Sequence, residues 1–218
     1  MKQVFQENKR FYLTFLVFLV LGGIFLSVYT QTATHLLFNA WHTSFGDLLF
    51  PYLTHLGDGW VLAALALIVL LFHSYYAALV ATVSFVGTSF TTQFLKRVIF
   101  TEAPRPKSYF QESDILHFVE GVQVHCCNSF PSGHTMAAFA LFSFIALFVK
   151  NKAIGWLFCI AALTIGFSRI YLQQHFFVDV YVGAILGTSL TTVTYMFTSQ
   201  SKTAKHMIWQ GALLKGRK

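Results

Sequence analysis

The sequence predicts an all-α membrane protein of six transmembrane helices, with interfacial helices between the first and second spans. Three observations carry that prediction. Hydrophobic residues make up 56% of the chain and charged ones only 11%, against roughly 25% charged in soluble domains. Six apolar runs approach the roughly 20 residues that a bilayer crossing needs. Lys and Arg also segregate between the connecting segments, which is the signal that sets membrane orientation. At 218 residues, with no internal repeat and no low-complexity segment, the chain reads as a single domain over 1–218.

The first span runs from about Phe11 to Tyr29. Its apolar run is long, and "LSVYTQTAT" offers no small-residue cleavage site, so it reads as a span and not a cleaved signal peptide. The segment that follows carries Leu36, Leu37, Ala40 and Trp41, then Leu48, Leu49, Tyr52 and Leu53, at helical spacing. It predicts one or two amphipathic helices in the outer interface, with Trp41 and Trp60 at headgroup depth, or short re-entrant pieces. The second span covers Trp60 to Phe72 and its flanks, and the third Tyr76 to about Leu95. A long polar loop, about Phe100 to Phe130, contains Pro104 and Pro106. Loops of this length without their own periodicity are usually functional or disordered. The fourth span covers Ser132 to Val149, the fifth Ile154 to about Ile170 and the sixth Val178 to about Phe197. The basic tail after Gln200 is expected to be solvated, with a weak interfacial helix at "HMIWQGALL".

With a cytoplasmic N-terminus, ten cations and Glu7 alone fall inside, while five cations and seven acids fall outside. The net charge of +7 therefore reads as topology and contact with anionic lipid, with both termini cytoplasmic. No folded basic surface points to nucleic acid, and nothing indicates an obligatory protein partner. Cys159 sits mid-span, where a thiol packs as a small hydrophobe. Cys126 and Cys127 are adjacent in the outer loop, either as free thiols or paired in a strained ring.

The polar residues gather on the outer face. Lys96 and Arg97 end the third span, and Arg105 follows in the loop. Ser132, Gly133 and His134 open the fourth span. Arg169 closes the fifth, and His175 and Asp179 precede and enter the sixth. Ionisable groups at span ends either serve a site or snorkel to water. Three cations beside a helix N-terminus suit an anion such as phosphate, and Gly133 permits close backbone approach. His175 and Asp179, four apart, share a helix face. A carboxylate on one ring nitrogen leaves the other free to attack, and His134 is a second imidazole suited to protonating a leaving oxygen. Taken singly, each feature has an ordinary reading: a helix cap at Pro-Ser-Gly, a snorkelling Arg169, a satisfied His–Asp pair. A His–Asp pair with His134 is also a possible zinc set, but three neighbouring cations oppose a divalent ion, so neither metal nor cofactor is expected. Lys107, His117 and His125 fit no pattern and read as loop surface.

"PSGH" followed by "SRIYLQQHFFVD" resembles the type 2 phosphatidic acid phosphatase (PAP2) superfamily, whose signature is K-x6-R-P, P-S-G-H and S-R-x5-H-x3-D. The second and third parts match residue for residue. In the first part, "KRVIFTEAPRP", eight residues separate Lys96 from Arg105, and Arg97 is a rival for the lysine position. The sequence places the slack as a bulge in "FTEAP". The resemblance implies a metal-independent, two-step hydrolysis: His175 attacks phosphorus, Asp179 holds His175, and His134 protonates the leaving group and then activates water. Lys96, Arg105, Ser132, Gly133 and Arg169 are implied to hold the phosphoryl oxygens. It also implies a membrane lipid phosphate as substrate at the outer leaflet of a bacterial inner membrane. Undecaprenyl diphosphate comes first, ahead of phosphatidylglycerol phosphate, phosphatidic acid and lipid A phosphates. The alternatives are a lipid flippase or transporter and a vanadate-dependent haloperoxidase. The first is disfavoured because no charge lies deep in a span, the second because such enzymes are usually soluble.

Overall fold

The computed structural model describes residues 2–111, 115–200 and 211–214, and no strand occurs among them. Ten α-helices follow one another: α1 (Lys2–Glu7), α2 (Lys9–Val28), α3 (Gln31–Asn39), α4 (Ser44–Leu53), α5 (Gly59–Phe72), α6 (Tyr75–Phe94), α7 (Pro106–Tyr109), α8 (Gly133–Phe148), α9 (Gly155–Tyr171) and α10 (Phe177–Gln200). Small hydroxyl residues set several starts by accepting a first-turn N–H: Thr30 from Ala33, Thr43 from Gly46, Ser74 from Ala77 and Ser132 from Thr135. Such caps satisfy donors that a helix end leaves orphaned.

Every apolar run expected to span is helical, yet not every one is long enough to cross alone. Lys9–Val28, Tyr75–Ile99, Lys152–Tyr171 and Phe177–Ser199 qualify by length and composition. The second run is the short α5, which joins Ser44–Gly57 across a 52° bend to make a broken fifth candidate. The fourth run, α8, has 16 residues, about 24 Å at 1.5 Å per residue, against a hydrocarbon core of roughly 30 Å. The polar "NSFPS" stretch occupies what would have been its first turn. Thus α4, placed at the interface by the sequence, is also the first half of a bent pair. The tail cations Lys202, Lys205, Lys215, Arg217 and Lys218 and most of the proposed tail helix lie outside the described residues.

The helices differ in how much of their surface they bury. α2 buries Phe11, Phe15 and Gly22 and turns Leu13, Leu16, Val17, Val20, Leu21 and Ile24 outward. Such an apolar exterior is stable only in lipid. α8 instead buries its whole length from Thr135 to Leu147 except for a few partly covered residues, enclosed by α5, α6, α9 and α10. Its tightest neighbour is α10. A Cβ on Gly183 would stand 2.8 Å from the Ser132 carbonyl oxygen, and one on Gly187 would collide with the Met136 carbonyl. Small residues four apart let helix backbones approach, and in lipid such packing drives association. The approach brings the start of α8 against the start of α10, where the Ser132 N–H donates to the Asp179 carbonyl at 3.1 Å.

Candidate active site

The turn between α9 and α10 carries His175. Gln173 adopts a left-handed φ of 58°, and the N–H groups of Gln174 and His175 both donate to the Arg169 carbonyl, at 2.9 and 3.1 Å, which closes the end of α9. His175 is 1% exposed and Asp179 2%. Asp179 Oδ2 accepts from the Phe176 N–H at 2.9 Å and from the Ser129 hydroxyl at 2.5 Å, and it lies 3.4 Å from His175 Nδ1. The same Ser129 oxygen stands 3.3 Å from Nδ1. Ser129 has one proton and gives it to the carboxylate, so its oxygen faces an Nδ1–H. This hydrogen-bond assignment leaves the Nε2 lone pair free. Burial, then the fields of Lys96, Arg105, Arg169 and His134, push the His175 pKa well below the usual histidine value, which keeps the ring neutral.

The three cations arrive from three segments. Beyond α6 the chain continues in a π-helical turn, Leu95–Ile99, closed by the Phe100 N–H on the Leu95 carbonyl at 2.7 Å. Lys96 Nζ donates to the Asn128 carbonyl at 2.7 Å, while Arg97 is exposed. The helix is therefore already widened at Lys96 itself, upstream of the "FTEAP" bulge expected from the spacing. Arg105 is held at three points. Its N–H donates to the Cys126 carbonyl at 2.8 Å, Nε to the Cys127 carbonyl at 2.9 Å, and Nη1 to Gln174 Oε1 at 2.6 Å. Burial lowers its pKa and Asp179 opposes that shift. Arg169 is 7% exposed; its Nη1 donates to Thr54 Oγ1 at 2.6 Å, and its buried Nε has no protein partner.

His134 occupies the first turn of α8. Its Nε2 lies 2.7 Å from Asp58 Oδ1, and the other oxygen of that carboxylate lies 2.9 Å from His55 Nδ1. Gly133 packs against Thr92, where a Cβ would approach Cγ2 to 3.0 Å. The first N–H groups of α8 have no acceptor within their own helix. A cavity of about 350 Å³ opens here, with His134, Arg169, His55, His125, Gln123 and Gln174 in its wall. His175 is not part of that wall. Among the described residues no group of three or more His, Cys, Asp or Glu side chains is placed to hold a metal ion.

All eight residues singled out from the sequence thus lie at one end of the bundle. Four contributors were not foreseen: Ser129, Gln174, Thr54 and Asp58. Gln174 stands inside the third motif and Ser129 two residues before the PSGH motif, so their position was a usable signal. Thr54 and Asp58 come from the bend before α5 and had none. Two histidines read as loop surface are structured. His117 Nε2 lies 3.0 Å from both Asp47 oxygens. His125 borders the cavity, where burial and then Arg105, Arg169 and Lys96 lower its pKa. Cys126 and Cys127 are free and exposed, and Cys159 is buried.

Helices with an apolar exterior, and buried histidine, carboxylate and cation groups gathered at one end, define an integral membrane protein with a candidate site at that end. The chain belongs to the PAP2 superfamily, whose family model matches residues 60–202. Its curated relatives include the bacitracin transport permease protein BcrC of Bacillus licheniformis, 45% identical over 60 residues that cover 28% of this chain and 29% of that protein. Another is the undecaprenyl-diphosphatase BcrC of Bacillus subtilis, 34% identical over 85 residues, covering 38% and 43%. These alignments span less than half the length of either relative. The fold resembles the crystal structure of Aquifex aeolicus LpxE, with a TM-score of 0.66 at 24% identity over 78% of this chain and 98% of that one. It also resembles a transmembrane PAP2-type phosphatidylglycerolphosphate phosphatase from Bacillus subtilis, with a TM-score of 0.59 at 23% identity over 87% and 96%.

Proposed function

We propose that the protein hydrolyses a phosphate or diphosphate ester of a membrane lipid through a phosphohistidine, and that undecaprenyl diphosphate is its substrate. The observation that carries this reading is the buried set His175–Ser129–Asp179, which leaves Nε2 unprotonated on a ring that feels the fields of Lys96, Arg105 and Arg169. A neutral imidazole among cations is suited to attack phosphorus. The three cations and the N–H groups of Gly133 and His134 stabilise the charge on the transferring phosphoryl group. His134 donates a proton to the leaving oxygen and then takes one from the attacking water. Asp179 fixes the His175 tautomer.

The choice of a diphosphate rests on the Bacillus subtilis undecaprenyl-diphosphatase relative. Phosphatidylglycerol phosphate and lipid A phosphates are the competing substrates. The cradle reads phosphate alone, and the lipid tail is read by apolar helix surfaces. In this reading residues 1–218 form one domain with six crossings, α4 and α5 together making the second and α8 the fourth. α3 and the outer end of α4 lie at the outer interface. Both termini are cytoplasmic, in a bacterial inner membrane, and the site faces outward, a reading that the ten-to-five split of cations supports.

The test is phosphate release from a panel of these lipids in detergent, with His175→Ala as the control. The reading predicts turnover by the wild type, fastest on undecaprenyl diphosphate, and none by the variant. Substantial release by His175→Ala overturns the mechanism. Movement of lipid between leaflets without phosphate release would instead establish a transporter.

A further inference from the structure

We infer that Asp58 is a positioning residue for His134, orienting it as the proton donor through a His134–Asp58–His55 chain in which Asp58 and His55 lie outside the PAP2 signature. The inference rests on the phosphatase reading above and adds a residue to it. The family match begins at residue 60, so the bend that carries His55 and Asp58 lies upstream of it.

The geometry argues against an ordinary role for Asp58. It is the N-cap residue of α5, a position where Asp normally bonds the first-turn N–H groups. Here its side chain makes no cap hydrogen bond. Its two oxygens go to His134 Nε2 at 2.7 Å and His55 Nδ1 at 2.9 Å instead. The backbone is shaped for this contact. Gly57 lies so close to His134 that a Cβ there would stand 2.9 Å from the His134 carbonyl oxygen. Both imidazoles border the same cavity as Arg169.

The electrostatics supply the reason. Burial first, then Arg169 from α9, Lys96 from the turn after α6 and Arg105 from the loop, disfavour a positive charge on His134. His175 adds a neutral ring. Asp58 is the carboxylate that opposes those cations at His134. The hydrolysis needs that charge. In the first step His175 Nε2 bonds to phosphorus, the bond to the leaving oxygen breaks with its electron pair, and that oxygen takes a proton from the His134 imidazolium. In the second step water bonds to phosphorus, the P–N bond breaks, and the proton of the water returns to His134. The ring must therefore carry a proton when the leaving oxygen departs, and Asp58 is the group that favours that proton. His55, whose side chain is 69% exposed, fixes the second carboxylate oxygen at the solvent side.

Leaving-group dependence tests the inference. A good leaving group departs without a proton and a poor one does not. Purified wild type, Asp58→Asn and His55→Gln are compared on a long-chain alkyl phosphate and on p-nitrophenyl phosphate, with melting temperatures alongside. Asp58→Asn should lower kcat on the alkyl ester about a hundredfold, the lower end for general acid catalysis, and by only a few-fold on the aryl ester. His55→Gln should give a smaller loss of the same selectivity, and it carries the test if Asp58→Asn does not fold. Equal losses on both esters, or no loss on the alkyl ester, would overturn the role of Asp58. A wild type that releases phosphate from neither ester nor from undecaprenyl diphosphate would instead defeat the phosphatase reading.

Discussion

Removing Lys96 or Arg97 separates two adjacent cations that the sequence alone leaves as rivals. Neighbours on a helix point about 100° apart, so only one can face the site. Lys96 reaches the Asn128 carbonyl at 2.7 Å, directly before the "SFPSGH" stretch, while Arg97 is exposed. An ammonium about 4 Å from a phosphoryl charge contributes about 4 kcal/mol at an effective dielectric of 20. Deleting one such stabilising contact typically lowers kcat by about 10²–10³. An exposed, solvent-screened cation contributes about 1 kcal/mol or less. Lys96→Ala should therefore lower kcat/KM for phosphate release at least a hundredfold, and Arg97→Ala less than about fivefold. Lys96→Met, which keeps the aliphatic stem, should behave like the alanine variant. That separates lost charge from lost packing. Phosphate release in detergent micelles reads all three. A larger effect at Arg97, or small equal effects at both, would refute the placement of Lys96.

Three further predictions follow from the packing and hydrogen bonding. Ser129→Ala removes the hydroxyl between Asp179 and His175 and leaves a buried carboxylate short of a donor. Turnover should fall at least tenfold with little change in KM, and unchanged kinetics would remove Ser129 from the site. Gly187→Ala drives a Cβ into the Met136 carbonyl and should lower the melting temperature in detergent by several degrees, the scale of overpacking at about 1–3 kcal/mol; an unchanged melting temperature would contradict the close α8–α10 contact. His35 is 1% exposed, and burial pushes its pKa down from 6.5 to about 4 against the opposing bond to Gln173. Below pH 6.5 the unfolded chain gains that proton and the folded one does not. Stability should therefore fall by up to roughly 3 kcal/mol as pH drops from about 6.5 to about 4. His35→Gln should show a shallower fall across that window in thermal melts, and equal slopes would refute the assignment.

The helices were legible because long apolar runs announce themselves and hydroxyl caps mark their starts. Each expected run is helical to within a few residues. Crossing number was less legible. Hydropathy locates α5 and α8 but not the bend at Asp58 that makes one half of a broken pair, nor the polar turn that shortens the other. The candidate site residues were legible because they recur as spaced motifs. Thr54 and Asp58 were not, since a lone polar residue in an interfacial segment has no period, and its role exists only once the chain folds back over α8 and α9. The Gly183–Gly187 spacing was present in the sequence, but its meaning depends on which helix packs there.

The central claim is that His175 Nε2 becomes bonded to phosphorus during turnover. Rapid quenching of the enzyme with substrate labelled in its terminal phosphate tests it most directly. The account predicts label on the chain that is acid-labile and alkali-stable, maps to His175, and is absent from His175→Ala. Turnover with no labelled protein, or with label on another residue, would contradict it.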